Sequence, residues 1–344
     1  MLIDQIKYHS RLLLANTFNT ASFLPSKILP LRVDFKITEN CNAKCVICDH
    51  WKKRSEDRLT TDNIIAILKK IASLKIKVLR LTGGEALLRK DLFVILRKFS
   101  DNDFKVVLAT NGLLLNKYAD QINDSIINNV KVSIDGLWEK NDVIRGVNGY
   151  YKTAMEGLKH IRKKVTIASV LNNYLVDDLE NLIKFCRDHG YNYDVHLPSA
   201  NTYFHQSEEV QKFLKQLWPT IPNIYKAFDI LEKYNILSGT VLDNARAYML
   251  KGRFAFQHCI LGFIKLYIDS QGNVRTGCYE YNPVGNLIHS SFEEIINSPE
   301  YHNSVIDMFN LKCRGCTCGY AISATYDKPF DSLKYLKKRM KEIN

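Results

Sequence analysis

Apolar and polar positions along the chain follow two alternating rhythms. From about Arg32 to Leu197, short β-branched runs occur at Val33–Ile37, Val78–Thr82, Val106–Thr110, Val130–Ile134, Thr166–Leu171 and Tyr193–Leu197. Between them lie stretches with helical spacing, such as Ile64, Ile67, Leu68, Ile71 and Leu74, which line one face of a helix. The strand-then-helix unit recurs six times, and that alternation predicts a parallel sheet covered by helices. An amphipathic helix is expected in residues 1–30, ahead of a core spanning 31–206. From Ser207 to Phe256 the pattern turns helical and lacks cysteine, broken by Pro219 and Pro222, so residues 207–256 read as a connector. Beyond it, Ile264–Ile268, a turn at Asp269–Asn273 and a return run ending at Cys278 predict a β-hairpin, opening a small Cys-rich unit over 257–344 that closes on a C-terminal helix.

In a parallel sheet the loops at the carboxyl ends of the strands build the site, whether the sheet is open or closed into a barrel. The chemically distinctive residues fall at those ends. Cys41, Cys45 and Cys48 follow the first predicted strand, Thr82-Gly83-Gly84-Glu85 the second, Thr110-Asn111-Gly112 the third and Ser133-Ile134-Asp135-Gly136 the fourth.

Composition narrows the class. With 344 residues, 46% hydrophobic and 24% charged, the chain is long enough for about two domains and has an ordinary globular make-up. No apolar run approaches the roughly 20 residues of a membrane span, and Asp4, Lys7 and Arg11 interrupt the first apolar pattern, so a cytoplasmic, unprocessed protein is expected. The net charge of +12 invites a nucleic-acid reading, but Lys outnumbers Arg and the basic residues are spread out, apart from Lys334, Lys337, Lys338, Arg339 and Lys341. A solvated surface explains that pattern, and no nucleic-acid partner is expected.

Nine cysteines change the picture more than the charge does. Eight of them form two groups, Cys41, Cys45, Cys48 and Cys259, Cys278, Cys313, Cys316, Cys318, which in a cytosolic chain means metal or redox chemistry. The first group is a Cys-x3-Cys-x2-Cys triplet. Iron–sulfur cubanes normally take four thiolates, so three leave one iron open, as catalytic metal sites do. A Cys3His zinc site using His50 is the alternative.

With the neighbouring Gly-Gly-Glu, the triplet resembles that of the radical S-adenosylmethionine (SAM) enzyme family, and the resemblance covers about Arg32 to Leu197. It implies a partial (β/α)6 TIM-like barrel. In that family the three Cys hold a [4Fe–4S] cluster whose fourth iron is chelated by the SAM amino and carboxylate groups. An electron from a low-potential donor such as flavodoxin or ferredoxin then cleaves SAM to a 5′-deoxyadenosyl radical that abstracts hydrogen. By the same resemblance, Gly83, Gly84 and Glu85 receive the methionine ammonium, Ser133 contacts the ribose, and Arg145 pairs with the SAM carboxylate. Ile47 and Leu197 flank the adenine. Asp135 is equally readable as a turn-former, and Ala86 departs from the proline common after the family's Glu.

The second group places two cysteines around the hairpin and two in a Cys-x2-Cys turn, an arrangement zinc ribbons also use. After a radical SAM core it resembles the Twitch domain, a shortened SPASM domain with one auxiliary [4Fe–4S] cluster. Val284 to Ile288 and Ser291 to Asn297 resemble that domain's hairpin and helix. Cys259, Cys278, Cys313 and Cys316 are then the expected ligands and Cys318 a spare thiol. Five cysteines are too few for the two clusters of a full SPASM domain, and the interval from Gly272 to Cys278 is one residue longer than usual. Cys186, on a helical stretch, reads as a core thiol, with a hydrogen-atom donor as the alternative.

The expected activity is therefore radical oxidation or epimerisation of a small, sugar- or cyclitol-like substrate. Peptide-modifying relatives often carry an N-terminal leader-binding domain, and only the residues before Arg32 precede the first strand. A ribosomally made peptide is the second expectation. A basic, metal-stabilised binding module without chemistry is the alternative from another class.

Overall fold

The β-branched runs form strands β1 (Arg32–Lys36), β2 (Val78–Thr82), β3 (Lys105–Thr110), β4 (Ile127–Ser133), β5 (Lys164–Val170) and β6 (Asn192–His196) in the computed structural model. Residues 2–25, 30–52, 58–74, 76, 78–101, 104–198, 207–252, 258–278 and 281–312 are described. The six strands pair in parallel in the order β6-β5-β4-β3-β2-β1. β2 has the expected ends, and the other strands differ from the expected ones by at most two residues at either end, except β4, which starts three residues earlier. Helix α1 (Leu2–Thr17) precedes the sheet, and α2 (Thr61–Ala72), α3 (Leu92–Arg97), α4 (Leu115–Asp124), α5 (Trp138–Arg145), α6 (Tyr150–Leu158) and α7 (Asn173–Asp188) cross between strands. The face expected on α2 is the buried one, with Ile64, Ile67, Leu68 and Ile71 against the core. Thr60 and Asn63 close a capping box at its start.

Helices α8 (Glu208–Leu217), α9 (Ile221–Lys233) and α10 (Gly239–Lys251) occupy the predicted connector, and a short α11 (Leu261–Ile264) leads into the hairpin β7 (Lys265–Ile268) and β8 (Asn273–Arg275). Strand β7 pairs in parallel with β1, so the hairpin extends the same sheet. A further short strand β9 (Gly285–Asn286) pairs with β8, followed by α12 (Phe292–Ile296) and α13 (Pro299–Phe309). These match the run from Val284 and the segment from Ser291, whose side chain caps α12. The expected C-terminal helix lies outside the described residues. The sheet does not close, and with its helices it forms a partial TIM-like barrel.

Parallel strands buried on both faces usually read as continuous apolar runs. Here one face is apolar, with Val33, Phe35, Leu79, Leu81, Val130, Val132 and Val195 all buried. Alternate positions on the other face carry Asp34 and Lys36 on β1, Arg80 on β2, Lys131 on β4 and Asp194 and His196 on β6. The barrel is thus polar on its concave side. Asp34, only 2% exposed, receives Arg32 at 2.6 Å, Lys265 at 3.3 Å and Arg80 at 3.7 Å. Burial pushes its carboxyl up, but these three cations together hold it well below the usual carboxylate range.

A carboxylate stabilised this way contributes stability above its unfolded pKa of about 4, and that contribution fades as pH falls toward the lowered folded value. Asp34→Asn is expected to cost about 3 kcal/mol at neutral pH, because three cations lose their shared counter-charge in a buried place. The gap between variant and parent in denaturant unfolding should shrink below roughly pH 4. A gap that is absent at neutral pH would mean the cations are neutralised by other groups.

Candidate active site

The chain leaves β1 and runs through the three-cysteine loop, which is clamped from two sides by backbone. On one side, the Gly84 N–H donates to the Thr38 carbonyl at 2.9 Å and the Glu85 N–H to the Asn40 carbonyl at 2.7 Å. The glycines are required by this approach. A Cβ on Gly83 would lie 2.8 Å from the Thr38 oxygen, and one on Gly84 would lie 2.3 Å from the Asn40 oxygen. On the other side, the Val46 N–H donates to the Ile144 carbonyl at 2.9 Å. Gly146 ends α5 in the left-handed region at φ +65°, where a Cβ would meet the Lys44 oxygen at 2.1 Å. Trp51 completes the clamp by donating its indole N–H to the Cys45 carbonyl at 3.2 Å.

The thiols of Cys41 and Cys48 are half-buried and Cys45 is buried. Asn111, at the end of β3, donates weakly to Cys41 Sγ at 3.9 Å and to Asn42 Oδ1 at 2.7 Å, while the His50 N–H faces Cys48 Sγ at 3.5 Å. Burial pushes Cys41 up to about 11 and Cys48 up to about 12, and raises Cys45 as well. A bound metal centre reverses that balance by supplying positive charge to the thiolates. Among the described residues, no three His, Cys, Asp or Glu are gathered as a single-ion site. Three thiols on one short loop, close enough to interact electrostatically, instead suit a polynuclear cluster, whose metals spread the ligands apart. His50 is engaged through Nδ1, which lies 3.1 Å from Lys36 Nζ and 3.5 Å from Glu39. Ser270, from the turn after β7, also bonds Glu39, so this buried group ties the cluster loop to the hairpin.

Glu85 is 1% exposed and serves as a strut. It accepts from the Leu87 N–H at 3.0 Å, the Thr110 hydroxyl at 2.9 Å and the Asn111 N–H at 2.6 Å. Burial pushes its carboxyl up against the pull of these bonds. The Thr110-Asn111-Gly112 turn, to which sequence reasoning gave no role, thus joins the glycine loop to Cys41. A polar Thr-Asn pair at a strand end, where apolar residues would otherwise pack, was the available signal.

Arg145 is brought against the same loop. Its Nη2 lies 2.7 Å from Asp135 Oδ2, and its guanidinium is 5.9 Å from the Tyr150 ring. Cys45 also interacts with this guanidinium. Asp135 is more than a turn residue. It is fully buried, accepts the Val170 N–H at 2.7 Å, and its own N–H donates to Asn141 Oδ1 at 2.8 Å. Burial pushes its carboxyl up while Arg145 pulls it down. Ser133 ends β4 nearby, with its carbonyl accepting from the Tyr150 hydroxyl at 3.1 Å. Ile47 lies on the cluster loop and Leu197 just past β6, and both are buried in the main core.

Cys278 packs with Leu261 and Met308 in a small apolar cluster against which Cys259 and Tyr281 also pack, and Cys259 borders the main core as well. Between α11 and Cys278 the backbone is tight, because Gly277 at φ +66° would place a Cβ 2.8 Å from the Leu261 and Lys265 oxygens. Two of the expected auxiliary ligands therefore border the same small cluster. Cys313, Cys316 and Cys318 lie outside the described residues. Cys186 is buried on α7, and burial alone pushes its thiol up to about 12.

Comparison with known proteins places two family models on the chain. That of the radical SAM superfamily matches residues 35–186, and that of the SPASM iron-sulfur cluster-binding domain matches residues 259–317. An AdoMet-dependent heme synthase of Methanosarcina barkeri is 26% identical over 85% of this chain and 89% of that protein. A probable GTP 3′,8-cyclase of Methanocaldococcus jannaschii is 34% identical, but the match covers 48% of this chain and 57% of that one. Streptococcus suis SuiB bound to S-adenosylmethionine superposes with a TM-score of 0.63 at 16% identity, covering 80% of this chain and 68% of SuiB. SuiB has also been solved bound to its precursor peptide SuiA.

Proposed function

Because the chain belongs to the radical SAM superfamily and carries a SPASM iron-sulfur domain, we propose that it is an enzyme that oxidises or epimerises a small, sugar- or cyclitol-like molecule. Its cofactors are SAM, a catalytic [4Fe–4S] cluster and auxiliary iron-sulfur in the SPASM domain. When bound, SAM and the reduced catalytic cluster supply a 5′-deoxyadenosyl radical able to abstract hydrogen. Cys41, Cys45 and Cys48 would hold that cluster. Gly83 and Gly84 give SAM access to backbone, and Glu85 sets their turn and supplies negative charge for the methionine ammonium. Arg145, oriented by Asp135 and Tyr150, takes the carboxylate, Ser133 the ribose, and Ile47 with Leu197 the adenine side. Cys259, Cys278, Cys313 and Cys316 would hold one auxiliary cluster.

The observation carrying this reading is the three-thiol loop clamped between Gly84 and Gly146 with the Arg145 guanidinium beside Cys45. A small-molecule substrate is supported by the heme synthase, the relative above whose alignment nearly spans both chains. A peptide substrate is the second reading, favoured by the fold shared with SuiB. Among the described residues no helix is long and apolar enough to cross a membrane, and we place the enzyme in the cytoplasm with a flavodoxin- or ferredoxin-like donor. The deciding experiment incubates anaerobically reconstituted protein with SAM, dithionite and a cell extract. Formation of 5′-deoxyadenosine with loss of two hydrogens from, or deuterium incorporation into, a small molecule is expected. A modified peptide would move the assignment to the second reading, and no SAM cleavage would remove both.

The SAM-binding part has its own test. Arg145→Lys keeps the charge but loses the planar fork that pairs with carboxylates. SAM affinity is expected to fall roughly ten- to hundredfold, the worth of a charge-assisted hydrogen bond, as measured by equilibrium binding. Unchanged affinity would assign the carboxylate to another cation and leave Arg145 as the partner of Asp135.

A further inference from the structure

The concave face of the barrel holds two groups of the same make-up, each a lysine, a carboxylate and a histidine. In the first the lysine and histidine are sealed: Lys36 and His50 have side chains 2% and 6% exposed, and together with Glu39, at 17%, they join the cluster loop to the hairpin. In the second the histidine is open to solvent. Lys131 on β4 reaches Asp194 and, at 3.0 Å, His196 Nε2 on β6. These side chains are 14%, 16% and 44% exposed respectively. The strand between them is β5, where Ala168 stands opposite both Ser133 and Asp194 in register. Its methyl leaves the space above β5 for the lysine to cross.

This second group lies beside Ser133, the residue proposed for the SAM ribose. Lys131 is two residues before Ser133 on the same face of β4 and stands opposite Thr166, which bonds Asn129 at 3.0 Å. We infer that Lys131, Asp194 and His196 form the subsite that positions the substrate, and that they grip a hydroxyl-bearing part of it. The chemistry of the group selects that class. A carboxylate or phosphate placed there would face Asp194, a cation would face Lys131, and an apolar fragment would strip water from three polar heads without replacing its hydrogen bonds. A hydroxyl both donates and accepts, so adjacent hydroxyls can donate to Asp194 while accepting from Lys131, with His196 serving in either sense. The inference rests on the small-molecule reading above and assigns the residues that would confer its specificity.

The test uses the reconstituted full chain with SAM and three probes: the small-molecule ultrafiltrate of a cell extract, the same filtrate after periodate oxidation and quenching, and the retained protein fraction. 5′-Deoxyadenosine formation is followed as each is titrated. The filtrate is expected to stimulate it, periodate to remove the stimulation by cleaving adjacent hydroxyls, and the protein fraction to do nothing. In Asp194→Asn and Lys131→Met, half-maximal stimulation should require roughly tenfold more filtrate, with the rate at saturation largely recovered. Lys131→Arg should recover part of the loss. Equilibrium SAM binding and the cluster absorption band report that each variant is folded and loaded. Stimulation that survives periodate, that comes only from the protein fraction, or that is unmoved in all the variants overturns the assignment. A parent protein that never cleaves SAM instead fails the functional reading on which it stands.

Discussion

Replacing Cys41, Cys45 and Cys48 together by alanine is expected to abolish 5′-deoxyadenosine formation and to leave the rest of the molecule in place. The loop that carries them is held by backbone bonds from Gly84, Glu85 and Val46 to its neighbours, none of which uses a sulfur atom. Removing the three thiols therefore takes away the metal ligands without releasing the loop. Each substitution also removes only one heavy atom from a half-buried or buried position, a modest packing loss. The small cluster at which Cys259 and Cys278 pack includes none of the three thiols, so the variant should still bind iron, at roughly half the parent's content if each site holds one four-iron cluster. The checks are anaerobic iron determination and product quantification with SAM and dithionite. Cleavage at the parent rate would show that the triplet is not the catalytic centre. Loss of all iron would show that the two metal sites are not independent.

The strands and the site were legible in the sequence to different depths. The β-branched runs located the six strands β1 to β6 because each is bounded by polar turn residues, and the cysteine spacing singled out the loop after β1. The parallel pairing of β7 with β1 was not legible, since no local pattern reports which edge of a sheet a hairpin joins. Asp135 was half legible. Ser-x-Asp-Gly has the composition of a turn, and only the approach of α5 turns its carboxylate into the partner of Arg145. Most informative was a signal present but not read. Asp34, Lys36, Arg80, Lys131 and Asp194 fall at alternate positions of strands whose other positions are apolar, a period-two pattern unusual for parallel strands. It marks a barrel whose concave side is built for polar contents, and it follows from counting residues alone.

A single methyl added at Gly84 is expected to do nearly as much damage as losing the cysteines. The Cβ of Gly84→Ala would sit 2.3 Å from the Asn40 oxygen, 2.6 Å from its carbon and 2.6 Å from the Glu39 oxygen. All three are backbone atoms, so no side-chain rotation can make room. Either the glycine loop or the start of the cysteine loop must move, and the Gly84 and Glu85 N–H bonds that join them would break. The cost is on the order of 3 kcal/mol, concentrated where the thiols must converge. The variant should lose catalytic iron and SAM cleavage while its far-ultraviolet circular dichroism stays close to the parent's. Gly136→Ala is the matched control, because its Cβ would meet nothing closer than 3.5 Å, an ordinary contact, and it should keep the parent's iron and activity. If Gly84→Ala behaves like Gly136→Ala, the two loops are not in the close contact that positions the thiols. If both variants fail, glycine is needed there for reasons other than the approach to Asn40.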